Sequence, residues 1–228
     1  MKAPESQVGT QDMGVLANGM AHAIRNPLSS IMTAATLVQE DAGVSEETAM
    51  LLGVIVKESR HLNKILAAFL EYVKPHTADP AELDLVPLVR GVIGEARRDG
   101  VLAPGVVVDD MLPDSLPVFA DEQLMRSVLF NIVSNAGEAM GEHGKLQLSG
   151  QHTGVVVLTV EDSGRGFSPR ELERAFDPFF SNTPEGTGLG LTIARVIVED
   201  AGGHIYAENR EGENGARIRL ELPKGLRI

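Results

Sequence analysis

The sequence contains no cysteine. Disulfides and thiolate metal sites are therefore excluded, and a reducing, cytoplasmic setting is the expectation. No apolar run approaches the ~18 residues needed to span a bilayer, and the N-terminus lacks the basic-then-apolar pattern of a secretory signal. The expected chain is soluble, whether whole or the cytoplasmic part of something longer, and no input domain is expected before Met1 beyond a short linker. Basic residues are in deficit: 20 Lys and Arg stand against 32 Asp and Glu, a formal net charge of -12. A nucleic-acid partner held through its phosphates is disfavoured, because a basic face would have to be built against that average. What is present is 228 residues at 43% hydrophobic content, ordinary for a folded protein and enough for two domains.

The first domain, residues 1–77, reads as a helical hairpin. Apolar residues recur in steps of three and four at Met13, Leu16, Met20, Ile24, Leu28, Ile31, Ala35 and Val38, one stripe of a long helix over residues 7–41. A glycine-containing break at 41–44 precedes Ser45-Glu46-Glu47-Thr48, which has the form of a helix start with Ser45 as its cap. The second stripe is Leu51, Ile55, Leu62, Ile65, Phe69 and Val73, interrupted at Glu58. Such a pair buries one face of each helix, so a second apolar face needs a partner. Dimerisation into a four-helix bundle meets that need, and packing on the rest of the same chain is the alternative. His22 falls about 200° around the helix from both Met20 and Ile24, which predicts an exposed imidazole opposite the stripe. Asn26 shares its face one turn on, and Pro27 is expected to bend the helix nearby.

From 75 to 80 the composition is that of a linker, and residues 78–228 then alternate between strand and helix patterns. Strands are expected at 83–85, 106–109, 118–120, 145–151, 155–161, 204–208 and 216–222, with helices at 87–98, 122–140 and 189–200. A mixed sheet with helices on one face gives a two-layer α/β sandwich. Three segments carry chemistry. Asn131 and Asn135 share a face of the 122–140 helix, where neutral carbonyl oxygens suit a Mg²⁺ ion already neutralised by phosphates. Asp162-Ser163-Gly164-Arg165-Gly166 ends a strand with a carboxylate that can accept from an exocyclic amine, beside glycines that admit a flat base. Gly186-Thr187-Gly188-Leu189-Gly190-Leu191 precedes a helix, where successive N–H groups can hold phosphates. Each alone has a bland reading as solvated asparagines, a tight turn or a helix start; their order and spacing are more specific. Between the last two lies the apolar segment 176–184, with Phe176, Phe179 and Phe180, which reads as a lid anchored by its phenylalanines when nucleotide is present.

Together these residues resemble a sensor histidine kinase over nearly the whole chain. Residues 10–77 resemble the dimerisation and histidine-phosphotransfer domain, with residues 21–28 as its H-box. The phrasing Gly19-Met20-Ala21-His22, then Ile24-Arg25-Asn26-Pro27-Leu28, is closest to the nitrogen-regulation type. Residues 80–225 resemble the catalytic ATP-binding domain of the Bergerat fold, with N, G1, F and G2 boxes at 131–139, 162–166, 176–180 and 186–191. The resemblance implies autophosphorylation of His22 by ATP, transfer to an aspartate of a response-regulator receiver domain, and a phosphatase activity in which Asn26 orients water. It implies Asn135 as the Mg²⁺ ligand with Asn131 nearby, and Asp162 as the adenine-reading carboxylate. Gly164, Gly166, Gly186, Gly188 and Gly190 would be the close-approach glycines, with Phe180, Thr187 and Leu189 in the nucleotide-binding boxes.

The chain departs from that family in two places. The residue after the histidine is ordinarily an acid that takes the ring proton; here it is Ala23, and Asn18, Gly19, Arg25 and Asn26 put no carboxylate on the neighbouring turns. Weak autophosphorylation is the expectation. Asn182 stands in a segment that usually carries a basic residue, so a basic lid contact is missing or comes from Arg165 or Arg174. Two alternatives stay open. One is a chaperone-, topoisomerase- or mismatch-repair-like ATPase, which would leave the hairpin unexplained and would need Glu138 as its carboxylate. The other is an impaired ATP-sensing or phosphatase-biased module that docks a response regulator.

Overall fold

The computed structural model describes residues 8–40, 43–73, 78–152, 154–183 and 186–224, with side chains throughout except at 8–20, 22 and 71. The expected residues of the loop at 41–42, the linker at 74–77, the turn residue Thr153 and Pro184 in the lid lie outside the described residues. The chain divides into two compact units, one of residues 1–76 with 183–189 and one of residues 77–182 with 190–228.

The first unit is the hairpin of α1 (Val8–Gln39) and α2 (Glu46–Val73). Ser45 caps α2 as expected: its Oγ accepts from the Thr48 N–H at 3.2 Å, and its carbonyl from the Ala49 N–H at 2.9 Å. Near the other end of the same loop, Gln39 donates to the Ala49 carbonyl at 3.2 Å. Pro27 lies inside a continuous α1. The inner seam consists of Ala21, Leu28 and Ala35 from α1 and Val56, Ser59 and Leu66 from α2, all buried. The expected α1 stripe is one face, and the seam covers only one edge of it. Leu28 and Ala35 belong to the seam, while Ile24, Ile31 and Val38 point outward with Met50, Leu51, Val54, Ile55 and Leu62. Met13, Leu16, Met20 and the imidazole of His22 lie outside the described side chains, whereas Ala23 and Asn26 are exposed.

The second unit begins with β1 (Ala81–Asp84) and α3 (Leu85–Arg98). Asp84 joins them, accepting from the Val86 N–H at 3.0 Å as an N-cap and from the Leu116 N–H at 2.9 Å. Then come β2 (Gly105–Met111), β3 (Pro117–Ala120), α4 (Glu122–Met140), β4 (His143–His152) and β5 (Val155–Asp162). Helix α4 starts on Asp121, whose carboxylate accepts from the Gln123 and Leu124 N–H groups, and stops at Gly141. A six-residue helix α5 (Pro169–Arg174) lies within the stretch expected to be loop-rich, and α6 (Gly190–Asp200), β6 (His204–Asn209) and β7 (Ala216–Pro223) complete the described chain.

The main sheet has the order β2-β4-β5-β7-β6, with β2 and β4 parallel and the other neighbours antiparallel. Strands β1 and β3 pair with each other as a small second sheet, and β3 adds a single antiparallel bridge from Val118 to Lys224. Helix α4 packs against both α3 and α6 and against β4 and β5. Alternation along β7 shows the layering: Ala216, Ile218, Leu220 and Leu222 are buried, and Arg217 and Arg219 form ion pairs with Glu161 and Glu208 on the opposite face. The core lies between, with Met125, Leu129, Ile132, Leu146, Leu158 and Leu220 almost wholly enclosed. Among the described residues no helix is long and apolar enough to cross a membrane.

Candidate nucleotide site

The site grows from the C-terminal end of β5. Asp162 is the last residue of that strand and is buried at 6% exposure. Its Oδ1 accepts from the Gly164 N–H at 2.8 Å and the Ala216 N–H at 3.3 Å. Burial pushes its carboxyl above the usual carboxylate range, against the pull of those two donors and of Arg210 and Arg165. A carboxylate anchored through one oxygen leaves the other to accept from an amine arriving at the sheet end. Gly164 brings the strand end against α4: a Cβ there would sit 2.7 Å from the Ala139 carbonyl oxygen. No larger residue allows that approach without displacing backbone.

On α4 the two expected asparagines do share a face, one turn apart. Asn131 is half-buried beside Gly190, the first residue of α6, where an added Cβ would lie 3.4 Å from its Oδ1. Asn135 is exposed. Thus Asp162, Gly164, Gly166, Asn131, Asn135 and Gly190 belong to one unit. Gly186, Thr187, Gly188 and Leu189 are grouped with the hairpin unit. Within that group the Gly186 N–H donates to the Thr183 carbonyl at 3.1 Å, and Leu189, fully buried, donates its N–H to Thr187 Oγ1 at 3.4 Å. Gly188 has φ 65.

The expected lid is held by polar contacts more than by buried rings. The Phe176 carbonyl accepts from Thr192 Oγ1 at 3.1 Å, and Arg195 stands 5.4 Å from the Phe176 ring. Arg174 covers Phe180 at 4.3 Å while pairing with Asp177 at 3.0 Å, and Phe179 is 58% exposed. Glu171 gathers the rest. It accepts from the Ser168 N–H at 2.6 Å and from Arg165 at 3.1 Å, and Asn182 donates to it as well. The Ser168 N–H and hydroxyl, Arg165 and Asn182 together lower its pKa to about 2 against the smaller effect of burial. Arg165 and Arg174, the two candidates for a basic lid contact, are thus both engaged with carboxylates.

Four contributors carry no part of the expected motifs. Ser168 and Glu171 form a reciprocal capping box with Pro169 at the first helical position, a local signal that was legible. Ala216 and Asn209 reach the site from 54 and 42 residues away, and nothing local marks them.

Comparison with known proteins identifies the family of both regions. Residues 120–226 match the Histidine kinase-, DNA gyrase B-, and HSP90-like ATPase family, and residues 12–77 match the His Kinase A (phospho-acceptor) domain. The sensor histidine kinase ZraS of Escherichia coli is 36% identical over 230 residues, covering 99% of this chain and 48% of that protein. The chain spans about half the length of the ZraS relatives it matches. The catalytic domain of histidine kinase ThkA is 35% identical with a TM-score of 0.58, covering 64% of this chain and 96% of that one. ThkA in complex with the response regulator protein TrrA is 30% identical with a TM-score of 0.69, covering 97% of this chain and 64% of that one. With a phospho-acceptor region followed by this ATPase domain, the chain belongs to the sensor histidine kinases.

Proposed function

We propose that this chain is the kinase portion of a two-component sensor, with residues 1–77 as phospho-acceptor hairpin and 78–228 as ATP-binding domain. The single observation that carries the nucleotide reading is Asp162, a carboxylate buried at a strand end and oriented by two backbone donors. It accepts from the adenine amine, while Gly164 holds the strand end close against α4. Asn131 and Asn135 offer neutral oxygen donors on one face of α4, a set that fits a hard divalent cation whose remaining ligands are phosphate oxygens. When bound there, Mg²⁺ would offset phosphate charge. The His22 imidazole attacks the γ-phosphorus, a P–N bond forms, the bond to the ADP oxygen breaks, and the ring proton is lost. With Ala23 beside it, that proton goes to water and not to a neighbouring carboxylate, so the step is slow.

The phosphoryl group then passes to an aspartate of a response-regulator receiver domain; the ThkA complex is what supports that partner. A second copy of the chain covers the outward apolar face of the hairpin. Asn26, exposed and one turn after His22, is positioned to orient water for phosphatase activity. The phrasing of residues 19–28 supports the nitrogen-regulation subtype, and the setting is the cytoplasm.

The test is labelling with γ-³²P-ATP and Mg²⁺, followed by acid and alkali stability of the product. Expected is slow, acid-labile, alkali-stable label, lost in His22→Ala and accelerated about 10²- to 10⁴-fold in Ala23→Glu. Equal, brisk labelling of both chains would remove the role given to Ala23. Intact ATP binding with no label in either chain would favour the ATP-sensing module over the kinase.

A further inference from the structure

The turn between β6 and β7 grips the Asp162 segment at both ends. Asn209, the last residue of β6, commits its whole carboxamide to one residue: Oδ1 accepts from the Phe167 N–H at 2.7 Å and Nδ2 donates to the Phe167 carbonyl at 2.8 Å. Across the turn, the Ala216 N–H donates to Asp162 Oδ1 at 3.3 Å, and the Arg210 N–H closes the turn on the Gly215 carbonyl at 3.1 Å. The loop 162–167 therefore begins on Ala216 and finishes on Asn209, and both donors and acceptors come from one turn. A side chain that pairs with the N–H and the C=O of the same residue reproduces the two-bond exchange of an antiparallel ladder where no strand continues.

We infer that Asn209 is a positioning residue for base selection. By fixing Phe167 it holds the loop in the shape that turns the free oxygen of Asp162 toward a 6-aminopurine. The inference rests on the nucleotide reading proposed above. Adenine brings a donor to that oxygen, whereas guanine brings a carbonyl, and two acceptors facing each other are rejected. Loosening the loop should therefore cost the adenine nucleotide more than the guanine nucleotide. A role in folding alone would lower both.

The experiment compares the full chain with N209A and N209D. Binding of non-hydrolysable ATP and GTP analogues is measured by calorimetry, and hydrogen exchange is followed at the Phe167 amide. In N209A the ATP-analogue affinity falls about threefold to tenfold, as for loss of a net hydrogen bond, while that for the GTP analogue holds, so their ratio collapses. N209D keeps an acceptor for the Phe167 N–H without the donor to its carbonyl, and lands between; if N209A does not fold, N209D carries the comparison. An unchanged ratio overturns the inference, whether both affinities hold or fall together. If the unaltered chain binds neither analogue, the nucleotide reading itself has failed. Exchange at Phe167 then still decides the grip: faster in N209A supports it, unchanged overturns it.

Discussion

In the α/β unit Leu85, Leu116, Leu146 and Leu158 are 0% exposed, whereas in the hairpin Met50 is 73% and Leu51 60% exposed. The two units have similar apolar content to hide, and they differ in whether a single copy hides it. A twisted sheet with α3, α4 and α6 on one face encloses its core from all sides but the polar outer face. Two helices share one seam and leave their backs bare. If a second copy covers those backs as proposed, the first unit's stability follows the concentration of that copy, while the second unit's is intrinsic.

That contrast can be broken by substitution in each unit. Leu129→Ala should have the largest effect, about 2–5 kcal/mol of lost stability by chemical denaturation of the α/β unit, because Leu129 is 1% exposed and the cavity has little means to collapse. A loss below about 0.5 kcal/mol would show that this core is not closed. Ile31→Asp combined with Ile55→Asp places charge on the outward face of the hairpin. Expected is a weakening of dimerisation by about 100-fold or more, read by analytical ultracentrifugation, with nucleotide affinity unaltered. Dimers that persist at the original affinity would put the second copy elsewhere.

The smallest effect concerns pH. Glu171 has its pKa lowered from 4.5 to about 2 by its hydrogen bonds. The stabilisation is therefore complete above about pH 4.5 and drains as pH falls through about 2. It is modest, since its partner Arg165 is 52% exposed. Thermal melts of the chain and Glu171→Gln should differ most above about pH 4.5, with the gap narrowing as pH falls from there toward about 2. A constant gap would assign the difference to shape rather than charge.

Where the sequence carried its own punctuation, the fold was legible from it. Helix α4 runs from Glu122 to Met140 as expected, because Asp121 and Gly141 mark its ends chemically. Helix α5 was overlooked because six residues are too few for a periodic signal, even with its capping box in place. The hairpin stripe is covered along one edge only, and spacing by three and four does not say which edge meets the neighbouring helix and which meets solvent. Pairing of β1 with β3 apart from the main sheet is a long-range choice with no local mark. The site divides the same way. Asp162, Gly164 and the α4 asparagines stand in motifs, whereas Asn209 and Ala216 are distinguished only by where β6 and β7 end.

Gly215 ties the β6–β7 turn to the main chain of the site. A Cβ there would sit 1.9 Å from the Asp162 carbonyl oxygen, at φ 130. The collision is with main chain, which no exchange of neighbouring side chains can trim. Any side chain at this position has to move the backbone at Asp162 or at Gly215 itself, so the length of the β6–β7 turn and the placing of the Asp162 strand end are set together by one missing carbon.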